Sequence, residues 1–210
     1  MPYRLEKLTA KLIMTMNKKR CPWPSSDKRM IRYHDEEWGV PIRDDNKLFE
    51  FILLDTFQAG LSWSIILNRR QGFSEAFDKF DPEIIASYNE SKIQSLLVDK
   101  GIIRNKLKIN STVSNARIFL YLQEKHDGFH NYIWEFTNGA PILNNWQQSD
   151  QIPATSKESD IMSKAFKKEG FKFAGSTICY SIMQAAGLVN DHLVSCFRYP
   201  EVQNYHWDNR

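Results

Sequence analysis

A chain of 210 residues with 42% hydrophobic residues and six Trp can bury a sizeable core, as one domain or as two closely packed ones. Its formal charge of +3 permits a polyanionic partner without demanding one, and three cysteines exclude a fully paired disulfide framework, which favours a reducing, cytoplasmic setting. No apolar run comes near the roughly 18 residues of a membrane helix, so no membrane partner is expected.

The first twenty residues, ending RLEKLTAKLIMTMNKKR, mix charge throughout and lack the apolar core and cleavage site of a secretory signal. They read as a basic N-terminal extension (1–20), unless translation begins at Met16. Pro22, Pro24, Ser25, Ser26 and Asp27 supply turn material. From Asp45 to about Gln58 the apolar residues Leu48, Phe51 and Ile52 fall on helical spacing, followed by a turn at Ala59 to Leu61 and a second helix capped by Ser62. Asp81 with Pro82 starts the next helix, and Asn89 caps another through Leu97. Lys100 and Gly101 break the pattern, and a long helix resumes near Asn105 and runs through Tyr121. A further helix covers Ser156 or Lys157 to Lys168 and ends at Gly170; Thr177 to Ala186 form an apolar helix closed by Gly187. No alternating strand of useful length occurs. The expected fold class is all-α, a single domain over 21–200 made of two packed helical lobes, with 201–210 as a flexible tail.

Cys21 with His34, and His192 with Cys196, together offer the two-sulfur, two-nitrogen set that a tetrahedral zinc ion prefers. The second pair, at i and i+4, would share one face of a helix. Spacing alone does not bring the pairs together, and ordinary packing of four separate residues is the competing reading. Asp55 lies on the apolar face of its helix with Leu48, Phe51 and Ile52, where an unpaired carboxylate costs several kcal/mol; it is kept either for a structural partner, such as a buried Arg, or for a task. Glu50 should point to solvent on the opposite side. Trp23, Tyr33, Trp38 and Trp63 cluster in sequence around these residues and suit either a core or a flat cationic heterocycle. In LLVDKGIIRNKLKI, the turn at Gly101 should leave the N–H groups of Ile102 to Asn105 free at a helix start, with Arg104, Lys106 and Lys108 as a positive rim. That arrangement is suited to one phosphate or is an ordinary connection.

The stretches YHDEEWGVP, FQAGLSW, FDP, GIIRNKLKI and GFKFAGSTICYSIMQAAGLVNDH, with Cys196 following, resemble the 3-methyladenine DNA glycosylase I (Tag) family of helix-hairpin-helix glycosylases over about residues 21 to 200. The resemblance implies a two-lobed helix-hairpin-helix fold with one structural zinc ion on Cys21, His34, His192 and Cys196, clasping the terminal segments. It implies a base pocket of Trp23, Tyr33, Trp38 and Trp63, Asp55 as the catalytic recogniser of the base, Leu61 as a wedge in the emptied stack or as simple packing, and DNA contacts at Gly101, Ile103, Arg104 and Lys106. The implied reaction is monofunctional hydrolysis of the N-glycosidic bond of 3-methyladenine in alkylated double-stranded DNA, releasing the free base and leaving an abasic site; a monomer is expected. The family's pocket usually carries Glu where this chain has Asp55, one methylene shorter. A non-catalytic or altered-specificity helix-hairpin-helix DNA-binding protein is therefore the alternative.

Overall fold

In a computed structural model, residues 18–205 are described. The readings of residues 1–17, including a start at Met16, and of 206–210 lie outside them. The chain is mostly helical: α1 (Lys28–Glu36), α2 (Asp45–Gln58), α3 (Trp63–Ala76), α4 (Pro82–Ala86), α5 (Glu90–Val98), α6 (Lys106–Lys125), α7 (Phe129–Trp134), α8 (Lys157–Glu169), α9 (Ser176–Ala185) and α10 (Arg198–Gln203). The starts follow side-chain caps that satisfy otherwise unpaired N–H groups: Asp44 accepts from Lys47 N, Asp81 from Glu83 N and Ile84 N, Asn89 from Lys92 N, and Asn105 from Lys108 N. Ser62 precedes α3 as expected, but its hydroxyl makes no capping bond.

Helix α2 is the centre of the molecule. Every residue from Leu48 to Phe57 is buried, and α3, α6, α7 and α9 pack around it. A helix covered on all sides has no solvent face, and this corrects the reading of Glu50. Its side chain is buried and accepts from Arg70 Nε at 2.6 Å and Lys47 Nζ at 2.8 Å.

Lys108 also departs from its expected place on a positive rim. It is 5% exposed, and its Nζ donates to Phe57 O at 2.8 Å and Ala59 O at 2.6 Å, holding carbonyls at the C-terminal end of α2. The α5–α6 hairpin is thereby tied to the turn that follows Asp55. The hairpin is also pressed against α3, where a Cβ on Gly72 would lie 2.6 Å from Gly101 O, so only glycine fits at that crossing.

The two-residue strands β1 (Ile142–Leu143) and β2 (Val189–Asn190) pair in parallel and dock the 140s loop beside His192. Strands this short leave no alternating signature in sequence. The proposed tail at 201–210 begins inside α10, where Val202 is 3% exposed.

Candidate active site

Four Cys and His ligand atoms meet where the N-terminal segment, α1 and the segment after β2 converge. The sulfurs of Cys21 and Cys196 and one nitrogen each of His34 and His192 lie within 4.8 Å of one another, and all four residues are buried. Cys196 Sγ is 3.4 Å from His34 Nε2 and 3.7 Å from His192 Nδ1, and Cys21 Sγ is 3.7 Å from His192 Nδ1. Tetrahedral zinc with ordinary bond lengths would set such S···N separations at about 3.6 Å. The second ring nitrogens are also engaged, His34 Nδ1 with Asp35 Oδ1 at 2.8 Å and His192 Nε2 with Trp38 O at 3.0 Å. Each histidine is thus oriented with its other ring nitrogen facing the thiols, as a metal-ligating histidine requires. Burial pushes the His192 imidazole down, favouring the neutral form a ligand must have.

His192 and Cys196 are not on a helix, contrary to the expectation from their spacing. Residues 191–197 form a turn between β2 and α10. A tight turn can juxtapose i and i+4 as well as a helix does. The turn expected from Pro22 to Asp27 is there, and α1, which carries Tyr33 and His34, starts directly after it with Asp27 as its cap.

Next to this cluster lies a cleft of about 370 Å³ lined by Trp23, Tyr33, Trp38, Asp55 and Trp63. Tyr33 and Trp38 are buried, while Trp23 and Trp63 are half-exposed. The rings hold one another: Tyr33 and Trp63 have centroids 5.1 Å apart, Trp23 meets Trp38 edge-on at 5.1 Å, and Trp38 meets His192 edge-on at 4.7 Å. The Cys/His cluster therefore adjoins the Trp38 side of the cleft both by ring contact and through the Trp38 carbonyl.

Asp55 is 2% exposed, and its Oδ2 is buried without a hydrogen-bond partner among the described residues. Among the described residues, the buried Arg considered as its structural partner is not found. Burial alone raises its pKa well above the usual carboxylate value. The indole Nε1 atoms of Trp23 and Trp63, in the same cleft, are likewise buried and unpartnered. One acceptor and two donors left unsatisfied in one cleft are the mark of a place for a polar, flat ligand.

A family model of methyladenine glycosylase matches residues 23–199. The chain belongs to the methyladenine glycosylase family. DNA-3-methyladenine glycosylase 1 of Escherichia coli (strain K12) is 46% identical over 181 residues, which are 86% of this chain and 97% of that one. A crystal structure of 3-methyladenine DNA glycosylase I (TAG) superposes with a TM-score of 0.84 at 47% identity, covering 87% of this chain and 100% of that chain. A tyrosine-to-phenylalanine variant of a 3-methyladenine DNA glycosylase I, solved in complex with 3-methyladenine, is 30% identical with a TM-score of 0.83, covering 86% and 97%.

The remaining positions implied by family resemblance fall around α2 and the hairpin. Leu61 is 37% exposed on the turn after α2, with its N–H bonded to Gln58 O. Gly101 and Ile103 are half-buried, and Arg104 and Lys106 are exposed at the start of α6. The Asn105 N–H is taken by Ile103 O at 2.9 Å, so it is not among the free donors expected there. Sequence reasoning missed Gln58, Ser149, Ile152, Pro153, Ser181 and Gln184, which complete the cleft. Gln58 and Gln184 could have been suspected as long polar side chains beside apolar helical stretches.

Proposed function

We infer that the protein is a DNA-3-methyladenine glycosylase, a hydrolase that cleaves the N-glycosidic bond of 3-methyladenine in alkylated DNA during base-excision repair. The observation that carries this reading is the unpartnered buried carboxylate of Asp55 in an aromatic cleft. An uncharged base gives such a group no reason to be ionised; a cationic one does. Methylation at N3 makes the nucleotide base positive, so entry of the base supplies Asp55 with the charge it lacks and favours its ionised form. The aromatic faces add stacking of roughly 1–3 kcal/mol per base and a cation–π contribution of order 1 kcal/mol.

The base must leave the double helix to reach this cleft, at a cost of a few kcal/mol that is lowest for a damaged pair. Leu61, apolar and exposed on the turn after α2, is suited to fill the gap, and the α5–α6 hairpin with Arg104 and Lys106 is suited to hold the backbone of double-stranded DNA as a helix-hairpin-helix element. Once flipped, the cationic base departs as a neutral molecule when the bond to the sugar breaks, and water adds to the sugar carbon with loss of a proton. The leaving group needs no protonation, which agrees with a cleft in which Asp55 is the sole carboxylate among the described lining residues. Among the described residues no lysine lines it to form a Schiff base, so the expected product is an intact strand with an abasic site.

Cys21, His34, His192 and Cys196 hold one structural zinc ion in this reading. Four protein ligands leave no coordination position for water, so the ion's role is to fold the N-terminal segment onto the segment after β2 and fix Tyr33 and Trp38 opposite Asp55. The chain works as a cytoplasmic monomer with one glycosylase domain over 21–200. Incubation with methylated duplex DNA should release free 3-methyladenine without strand breakage; lesion-independent DNA binding with no base release would point instead to a binding protein.

A further inference from the structure

Asp191 is 1% exposed and collects four side-chain hydrogen bonds. Asn144 Nδ2 and Trp146 Nε1 donate to Oδ1, each at 2.7 Å, and the Tyr180 hydroxyl and Gln184 Nε2 donate to Oδ2 at 2.7 and 2.8 Å. Two donors on each oxygen occupy the acceptor sites of a carboxylate. This determines which way the Gln184 amide lies, because a reversed amide would set its oxygen against an acceptor. Nε2 faces Asp191, and Oε1 is the free end of a side chain that lines the same cleft as Asp55. The backbone is fixed too, since Gln184 O accepts from Gly39 N at 3.0 Å.

We propose that Gln184, oriented by Asp191, presents Oε1 to the cleft as a fixed acceptor that selects a base carrying an exocyclic amine at C6 over one carrying a C6 carbonyl. This rests on the glycosylase reading above and adds the discrimination between methylated adenine and methylated guanine. An adenine-type base offers N6–H donors at that edge, and a guanine-type base offers O6, an acceptor. Oxygen facing oxygen in a buried site leaves two acceptors unpaired, and unpaired polar groups are what give hydrogen-bonding sites their power to reject. Asp55 cannot supply this discrimination alone: as a carboxylate it accepts, and with a proton it can donate to O6. The Gln184 amide does not titrate, and Asp191 prevents it from turning.

The test uses one duplex substrate carrying both 3-methyladenine and 3-methylguanine, and measures the release of each base by the wild-type chain, Gln184→Met and Asp191→Asn. Both rates come from one preparation, so a loss of folded protein scales them together and leaves their ratio unchanged. The expected result is a fall of about tenfold or more in the 3-methyladenine to 3-methylguanine ratio for Gln184→Met. Asp191→Asn should shift it the same way, because its amide can donate to Oε1 and let Gln184 turn its Nε2 into the cleft. A wild-type ratio in Gln184→Met overturns the proposal while leaving the glycosylase reading intact. A wild-type chain that releases neither base overturns that reading, and the proposal with it.

Discussion

Replacing Asp55 by Asn should stabilise the protein while impairing it. Asp55 is 2% exposed with a buried oxygen that lacks any partner among the described residues, and burial raises its pKa well above the usual carboxylate value. A buried charge without a partner costs several kcal/mol. The amide of Asn, unpaired in the same place, retains about 1–3 kcal/mol of that penalty. The balance is a gain of roughly 1–3 kcal/mol at pH 8, and at about 2–4 °C per kcal/mol for a chain of this length the Tm rises measurably. The sign with pH follows from the raised pKa. The folded wild type holds its proton more tightly than the unfolded chain, so its stability is complete below the unfolded value near pH 4 and declines as pH rises through the folded value. Asp55→Asn has no such decline. Urea unfolding of both proteins at pH 4 and pH 8, with zinc held constant, should show the difference opening as pH rises. A destabilised Asp55→Asn at pH 8, or a difference independent of pH, would refute the view that Asp55 is held unpaired for a ligand.

The ion-pair network behind Tyr33 should matter in the opposite sense. Arg70 donates to Glu37 at 2.8 and 2.7 Å and to Glu50 at 2.6 Å, and Lys47 reaches both carboxylates. Arg70→Met leaves two acids short of a partner and should cost about 2–3 kcal/mol in urea unfolding at pH 7, after discounting for partial exposure. Burial works to raise the Glu37 pKa, but the hydrogen bonds and charge of Arg70 outweigh it and hold the group at about 2. Its contribution is therefore present above the unfolded value near pH 4.5 and lost as pH falls towards 2, and Arg70→Met should weaken that acid dependence, leaving the part that Lys47 supplies. Removing zinc with a strong chelator should lower Tm and open Cys21 and Cys196 to a thiol reagent, with one zinc per chain by elemental analysis. A chain that binds no zinc, and whose Tm is indifferent to chelation, would contradict the clasp.

Much of the helical frame was legible because it is written locally. Asp44, Asp81, Asn89 and Asn105 cap helices whose apolar spacing follows directly, and Gly170 takes the left-handed turn that ends α8. Asp55 stood out because a carboxylate interrupts an apolar run. What the sequence could not convey was what surrounds each helix. Glu50 seemed to need solvent until Arg70 arrived from α3, and Lys108 looked like part of a phosphate rim until the end of α2 claimed it. Helical spacing at His192 and Cys196 was satisfied by a turn, which periodicity cannot distinguish over so few residues. Asp191 passed unnoticed because its four donors come from two separate stretches of chain.

The most direct test of the role assigned to Asp55 is single-turnover release of 3-methyladenine from methylated duplex DNA by the wild type and Asp55→Asn. The wild type should release the base and leave the strand intact. Asp55→Asn, folded and binding abasic DNA as the wild type does, should release it at least about tenfold more slowly, the loss expected for one charge-assisted contact. Equal rates would remove Asp55 from base recognition and with it the reason for its burial.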